Sequence, residues 1–101
     1  MAFVKVATVD EIPKGKMKVA IVDGKKVLVA NVDGKLYAMQ GVCSHAGGPL
    51  ALGVLAAKHV TCPWHGSVFD VTSGKVVRGP AKKDVPKYKI KVKGNDILVE
   101  A

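Results

Sequence analysis

VAIVDGKKVLVANVDGKLYAMQ, residues 19–40, reads as three strands joined by two tight turns. Val19 to Val22 is a β-branched run that stops at Asp23-Gly24. Lys26 to Asn31 follows and stops at Asp33-Gly34, and Lys35 to Gln40 is the third run. Asp-Gly between such runs is a strong hairpin signal, because a two-residue turn that matches strand twist needs positive φ at both positions.

The same pattern continues outward in both directions. Before it, Met1 to Val6 alternates like a strand. The only candidate helical turn follows Thr8-Val9-Asp10-Glu11, and no apolar stripe of 3.6-residue period appears anywhere. After it, Ser73-Gly74 marks a turn between Ser67–Val71 and Lys75–Arg78. Lys87 to Lys93 alternates without a break, so its lysines should face water while Tyr88, Ile90 and Val92 face the core. Gly94-Asn95 then turns into Asp96–Glu100, the expected last strand. The fold class is therefore all-β, a small sandwich or barrel. With 101 residues the chain suits a single domain.

One segment departs from this pattern. Between Leu36 and Phe69 the only formally charged residue is Lys58, and Gly41, Gly47, Gly48, Pro49, Gly53, Pro63 and Gly66 concentrate there. This reads as a small subdomain, about residues 41–80, inserted between flanking sheets. It is too broken by glycine and proline to be a transmembrane helix. The start of the chain has no long apolar block of the kind a signal peptide carries. The expectation is a soluble, cytoplasmic protein with no membrane partner.

The two cysteines fall inside that segment, each with a histidine close behind: Cys43-Ser44-His45, then sixteen residues, then Cys62-Pro63-Trp64-His65. Taken singly, the cysteines read as buried structural thiols and the histidines as surface residues. A disulfide gives no reason for the histidines, whereas metal ligation does. Zinc accepts two sulfurs and two nitrogens, but its usual spacings pair like ligands. The mixed arrangement suits a two-iron site better, with both cysteines on one iron and both histidines on the other. His59, in an expected strand, has no such partner and reads as structural.

Charge balance gives such a site its character. Two ferric ions and two sulfides sum to +2, and two thiolates cancel that. The oxidised centre is neutral, and adding an electron is easier than for an all-cysteine cluster.

The sequence resembles the Rieske-type ferredoxins over nearly its whole length. The likeness is sharpest at CSHAGGPL (Cys43–Leu50), CPWHGSVFD (Cys62–Asp70) and Gly79-Pro80-Ala81. It implies a Rieske-type fold, an antiparallel β-sandwich carrying an inserted cluster-binding subdomain. It also implies one [2Fe–2S] cluster, with Cys43 and Cys62 on a buried iron and His45 and His65 on an outer one. Gly79-Pro80-Ala81 matches a proline loop that covers the cluster, and Ser67 a serine that hydrogen-bonds to a cluster sulfur. The resemblance further implies that reduction couples to proton uptake at His45 and His65.

Departures place the chain within that family. Respiratory members carry a disulfide at the positions of Gly48 and Trp64, and a tyrosine donor at Phe69. Lacking these, the chain is expected in the lower-potential ferredoxin branch and in a reducing compartment. Trp64 is expected to pack under the cluster loop. Ala46, Pro49 and Leu50 are expected to form a small apolar docking patch beside the histidines.

The functional expectation is a one-electron carrier, not an enzyme, passing electrons from a reductase to a terminal oxygenase or similar acceptor. Alternatives are a small subunit of a larger reductase, such as nitrite reductase, and a zinc-stabilised binding module. A net charge of +8 would also suit nucleic acid, but only five aromatics are present, with no basic–aromatic interleaving and no helix-turn-helix. No nucleic-acid partner is expected; the lysines are read as steering an acidic redox partner. A monomer is the default state. Rich lysine with only Asn31, Asn95 and Gln40 as amides points to a thermophilic source, and the resemblance to an archaeal one.

Overall fold

The computed structural model describes residues 3–45, 47–64 and 66–101. Among the described residues, ten strands form two antiparallel sheets. The first hairpins form as the Asp-Gly turns require: β2 (Met17–Val22) pairs with β3 (Lys25–Val32), and β3 with β4 (Lys35–Gln40). Both turns hold positive φ at both residues, 53° and 78° at Asp23-Gly24 and 54° and 96° at Asp33-Gly34. At the other end of the chain β9 (Lys87–Lys93) pairs with β10 (Asp96–Glu100), and β10 with β1 (Val4–Thr8). Contact between β4 and β9 joins the two groups, giving one six-stranded sheet of order β1-β10-β9-β4-β3-β2. The expected helical turn is a single 3₁₀ turn, Val9–Glu11.

The second sheet lies between β4 and β9 in the chain. It has four short strands, β5 (Val54–Ala56), β6 (His59–Thr61), β7 (Val68–Asp70) and β8 (Val76–Arg78), paired in sequence order. Another 3₁₀ turn, Leu50–Leu52, leads into it.

Strand β3 explains how the two sheets are held. Its Val27-Leu28-Val29-Ala30 is buried throughout, so the strand is covered on both faces, as a continuous apolar run predicts. Val27 and Val29 enter one core with Val22, Ala38, Ile97 and Val99. Leu28 and Ala30 enter a second core with Met39, Leu50, Val60, Phe69 and both cysteines. Phe69 is fully buried there, and a side chain of that size contributes roughly 1.5–3 kcal/mol by burial.

One expectation fails at β9. Tyr88 and Ile90 are half-buried, but Val92 is exposed. Strand β4 pairs with β9 only at Lys87 and Tyr88, so beyond them β9 is paired on one side only, with β10, and Val92 lies on that outer stretch. Among the described residues no helix is long and apolar enough to cross a membrane.

Candidate metal centre

Two loops with one hydrogen-bond pattern carry the candidate ligands. In the first, the Cys43 N–H donates to the Gly48 carbonyl (2.9 Å) and the Gly47 N–H to the Cys43 carbonyl (3.0 Å). In the second, the Cys62 N–H donates to the Ser67 carbonyl (2.7 Å) and the Gly66 N–H to the Cys62 carbonyl (3.1 Å). Every partner in the second loop lies nineteen positions after its counterpart in the first. The flanking pairs obey the same offset, Val42 with Pro49 and Thr61 with Val68. Gly47 and Gly66 occupy the left-handed region, with φ of 73° and 79°, which a side chain adopts only with strain. The local sequence thus builds the same hairpin-tip knuckle twice and places a cysteine at the base of each.

The knuckles converge. Cys43 and Cys62 are free thiols, both buried, and both belong to the core cluster between the sheets. A Cβ placed on Gly48 would lie 2.6 Å from Cys62 Sγ and 3.3 Å from the indole of Trp64. The first loop therefore approaches the second so closely that only glycine fits at its closing position.

A third segment ties the two loops together. The Ala81 N–H donates to Ser67 Oγ (2.9 Å), and Ser44 Oγ donates to the Lys83 carbonyl (2.5 Å). Residues 79–83 are thus fastened to both knuckles, with Ala81 buried over them. Ser67 is completely buried and accepts the Ala81 amide, which leaves its hydroxyl proton to donate elsewhere. A sulfide of an iron–sulfur cluster bound here would be an acceptor of suitable chemistry.

Those features fit an iron–sulfur cluster: two buried thiols on matching loops, a glycine that lets the loops approach each other, and a buried hydroxyl with a proton to give. His45 stands at the exposed rim of its loop, in a hollow lined also by Ser44, Pro80, Lys82 and Lys83. His65 lies outside the described residues, as does Ala46. Among the described residues no three His, Cys, Asp or Glu side chains gather into a group able to hold one metal ion.

A family model for the Rieske [2Fe–2S] domain matches residues 2–89. The chain belongs to the Rieske [2Fe–2S] family. It is similar to the biphenyl dioxygenase ferredoxin subunit of Pseudomonas sp. (strain KKS102), at 37% identity over 101 residues, covering 99% of this chain and 93% of that protein. It is also similar to the ferredoxin component of the naphthalene 1,2-dioxygenase/salicylate 5-hydroxylase systems of Ralstonia sp., at 30% identity, covering 97% and 94%. Among solved structures, the ferredoxin of carbazole 1,9a-dioxygenase from Nocardioides aromaticivorans IC177 superposes with a TM-score of 0.93 at 36% identity, covering 98% and 97%. This Rieske protein carries one [2Fe–2S] cluster and serves as an electron carrier.

The Rieske frame corrects two expectations about the surface. Leu50 is fully buried in the core between the sheets, so it has no part in a docking patch. Trp64 is 56% exposed rather than tucked beneath a loop. It sits two positions after Cys62, at the tip of the second knuckle, where its ring covers Gly48 from outside. Sequence reasoning missed the fastening of residues 79–83 to Ser44 and Ser67. It also missed the common frame of the knuckles, although the nineteen-residue offset of Cys-x₃-Gly (Cys43 to Gly47, Cys62 to Gly66) is visible in the sequence.

Proposed function

We propose that Cys43 and Cys62 ligate the inner iron of the Rieske cluster, His45 and His65 the outer iron, and that Ser67 donates its hydroxyl proton to a cluster sulfur. The doubled knuckle with its pair of buried thiols is the observation that carries this assignment. The cluster supplies a one-electron couple. The chain's residues hold it, shield its sulfur end within the core and leave His45 at the surface.

The chain takes an electron from a reductase and delivers it to the terminal oxygenase of a dioxygenase system. Its relatives' names, as ferredoxin components of such systems, support that role. The working unit is a single domain of residues 1–101, with the cluster subdomain at about 41–80, acting as a soluble cytoplasmic monomer. With no tyrosine donor at Phe69 and no disulfide at Gly48 and Trp64, its midpoint lies below that of respiratory Rieske proteins.

Metal analysis with EPR of the reduced protein tests the assignment. Two irons and two sulfides per chain and a low average g-value are expected, and both are lost in Cys43→Ser or Cys62→Ser. A colourless protein with one zinc per chain would overturn it.

A further inference from the structure

We infer that the groove between β2 and the 3₁₀ turn Leu50–Leu52 seats an apolar side chain of an acidic redox partner. This rests on the electron-carrier reading above and names a contact surface beyond the exposed histidine.

The groove, about 370 Å³, has walls from both halves of the fold. Val19 and Ile21 come from β2, an outer strand of the six-stranded sheet. They are two positions apart, so they share one face of the strand. Ala51 and Leu52 come from the turn, and Trp64 from the second knuckle. Four of these side chains are unusually exposed for their type: Leu52 77%, Ile21 65%, Trp64 56% and Val19 45%. Gathered apolar exposure of this kind marks a contact site, and on an edge strand it is otherwise a liability.

Charge selects the occupant. Among the described residues Lys26 is the only ionisable one lining the groove. It also lines the adjoining hollow, with Lys25, and no described Asp or Glu lines either. A second copy of this chain would bring +8 against +8 and lysine against lysine. A partner with an apolar residue flanked by carboxylates meets the groove and its cationic shoulder together. Position supports the same occupant. Gly47, Pro49 and Trp64, from the two knuckles and their flank, form the groove's inner wall, so whatever sits there lies beside the redox centre.

The test uses the cluster-loaded full chain, reduced and mixed with the oxidised oxygenase components of the biphenyl, naphthalene and carbazole dioxygenase systems. Ile21→Glu and Leu52→Glu are expected to raise the half-saturating concentration about tenfold or more, at an unchanged midpoint potential and absorbance spectrum. Ile21→Ser and Leu52→Ser raise it less, and Lys26→Glu raises it while reducing its salt dependence. Val92→Glu, an exposed apolar position outside the groove, leaves it unchanged. Wild-type values across the groove variants would overturn the inference while leaving the carrier role intact. A wild-type dimer in sedimentation that Ile21→Glu dissociates would also overturn it, by making a second copy the occupant. If the wild type reduces none of the acceptors, the proposed delivery to a terminal oxygenase fails and the groove proposal falls with it.

Discussion

Gly48 and Ser67 occupy the same position in the two knuckles, the carbonyl that closes each loop, yet only one of them tolerates a side chain. Gly48 faces Cys62 Sγ at a distance where a methyl group would lie 2.6 Å away. Both obstacles, a candidate ligand and the ring at 3.3 Å, sit in the other knuckle, so relief means pushing the loops apart. Gly48→Ala is expected to cost about 1–3 kcal/mol by overpacking, and to lower iron and sulfide content per chain measured after purification. Ser67 has room and a task. Removing its hydroxyl frees the Ala81 amide and, on the proposed assignment, one hydrogen bond to the cluster. A bond worth about 1 kcal/mol in the reduced form corresponds to about 40 mV for one electron. Ser67→Ala should therefore lower the midpoint by about that amount, read by spectroelectrochemistry. An unchanged midpoint would leave Ser67 only the job of holding Ala81. The ligand types were legible in the sequence because two closely spaced Cys–His pairs suit little besides metal ligation. Gly48's steric role was not, since it depends on a sulfur fourteen residues away that only the folded chain brings near.

At the scale of elements, local chemistry announced itself and long-range contact did not. The hairpins follow from Asp-Gly turns flanked by β-branched runs, and their strands form where the sequence placed them. The burial of Val92 failed as an expectation because alternation gives a strand's faces but not how far its neighbour extends along it. Two turns of the smaller sheet are joined by Asp70. Its Oδ1 accepts the Thr72 N–H (2.9 Å) and the Thr72 hydroxyl (2.6 Å), and its Oδ2 lies 3.4 Å from Lys58 Nζ. Burial pushes this carboxyl's pKa up, but the Thr72 hydrogen bonds and the Lys58 charge outweigh it and hold it below the ordinary value. A lowered folded pKa means the stabilisation is complete above the unfolded value of about 3.9 and is lost as pH falls through the folded one. Asp70→Asn should cost on the order of 1 kcal/mol at neutral pH. The gap between wild-type and variant thermal midpoints should shrink as pH is lowered from about 5 to about 3. A gap that stays constant over that range would remove Asp70 as the cause.

At the scale of the whole molecule, the net charge of +8 and the two separate cores have different consequences. Charge governs encounter. If lysines steer an acidic acceptor, the second-order rate of electron transfer should fall steeply as ionic strength rises from about 0.01 M to 0.15 M, over which the screening length shrinks from about 30 Å to about 8 Å. A rate flat in salt would exclude steering. The cores govern what happens when the cluster is removed. One core is made within the six-stranded sheet, from Val22, Val27, Val29, Ala38, Ile97 and Val99, and includes neither cysteine. The other holds the two sheets together and counts Cys43 and Cys62 among its members. Stripping the cluster leaves two buried thiols with no metal to join them, so the knuckles lose their cross-link and the second core, which includes both cysteines, loses that support. The first core keeps every contact. Hydrogen exchange on the apoprotein should therefore show protection lost at the amides of Cys43, Gly47, Cys62, Gly66 and Ala81 and in β6 and β7. Protection should persist in β10 and β1, which are bonded to each other outside the second core. Strand β3 is the discriminating element, because it serves both cores: it should exchange at an intermediate rate, faster than in the loaded protein and slower than β7. Uniform loss across both sheets would show instead that the fold melts as one unit and that the six-stranded sheet has no stability of its own.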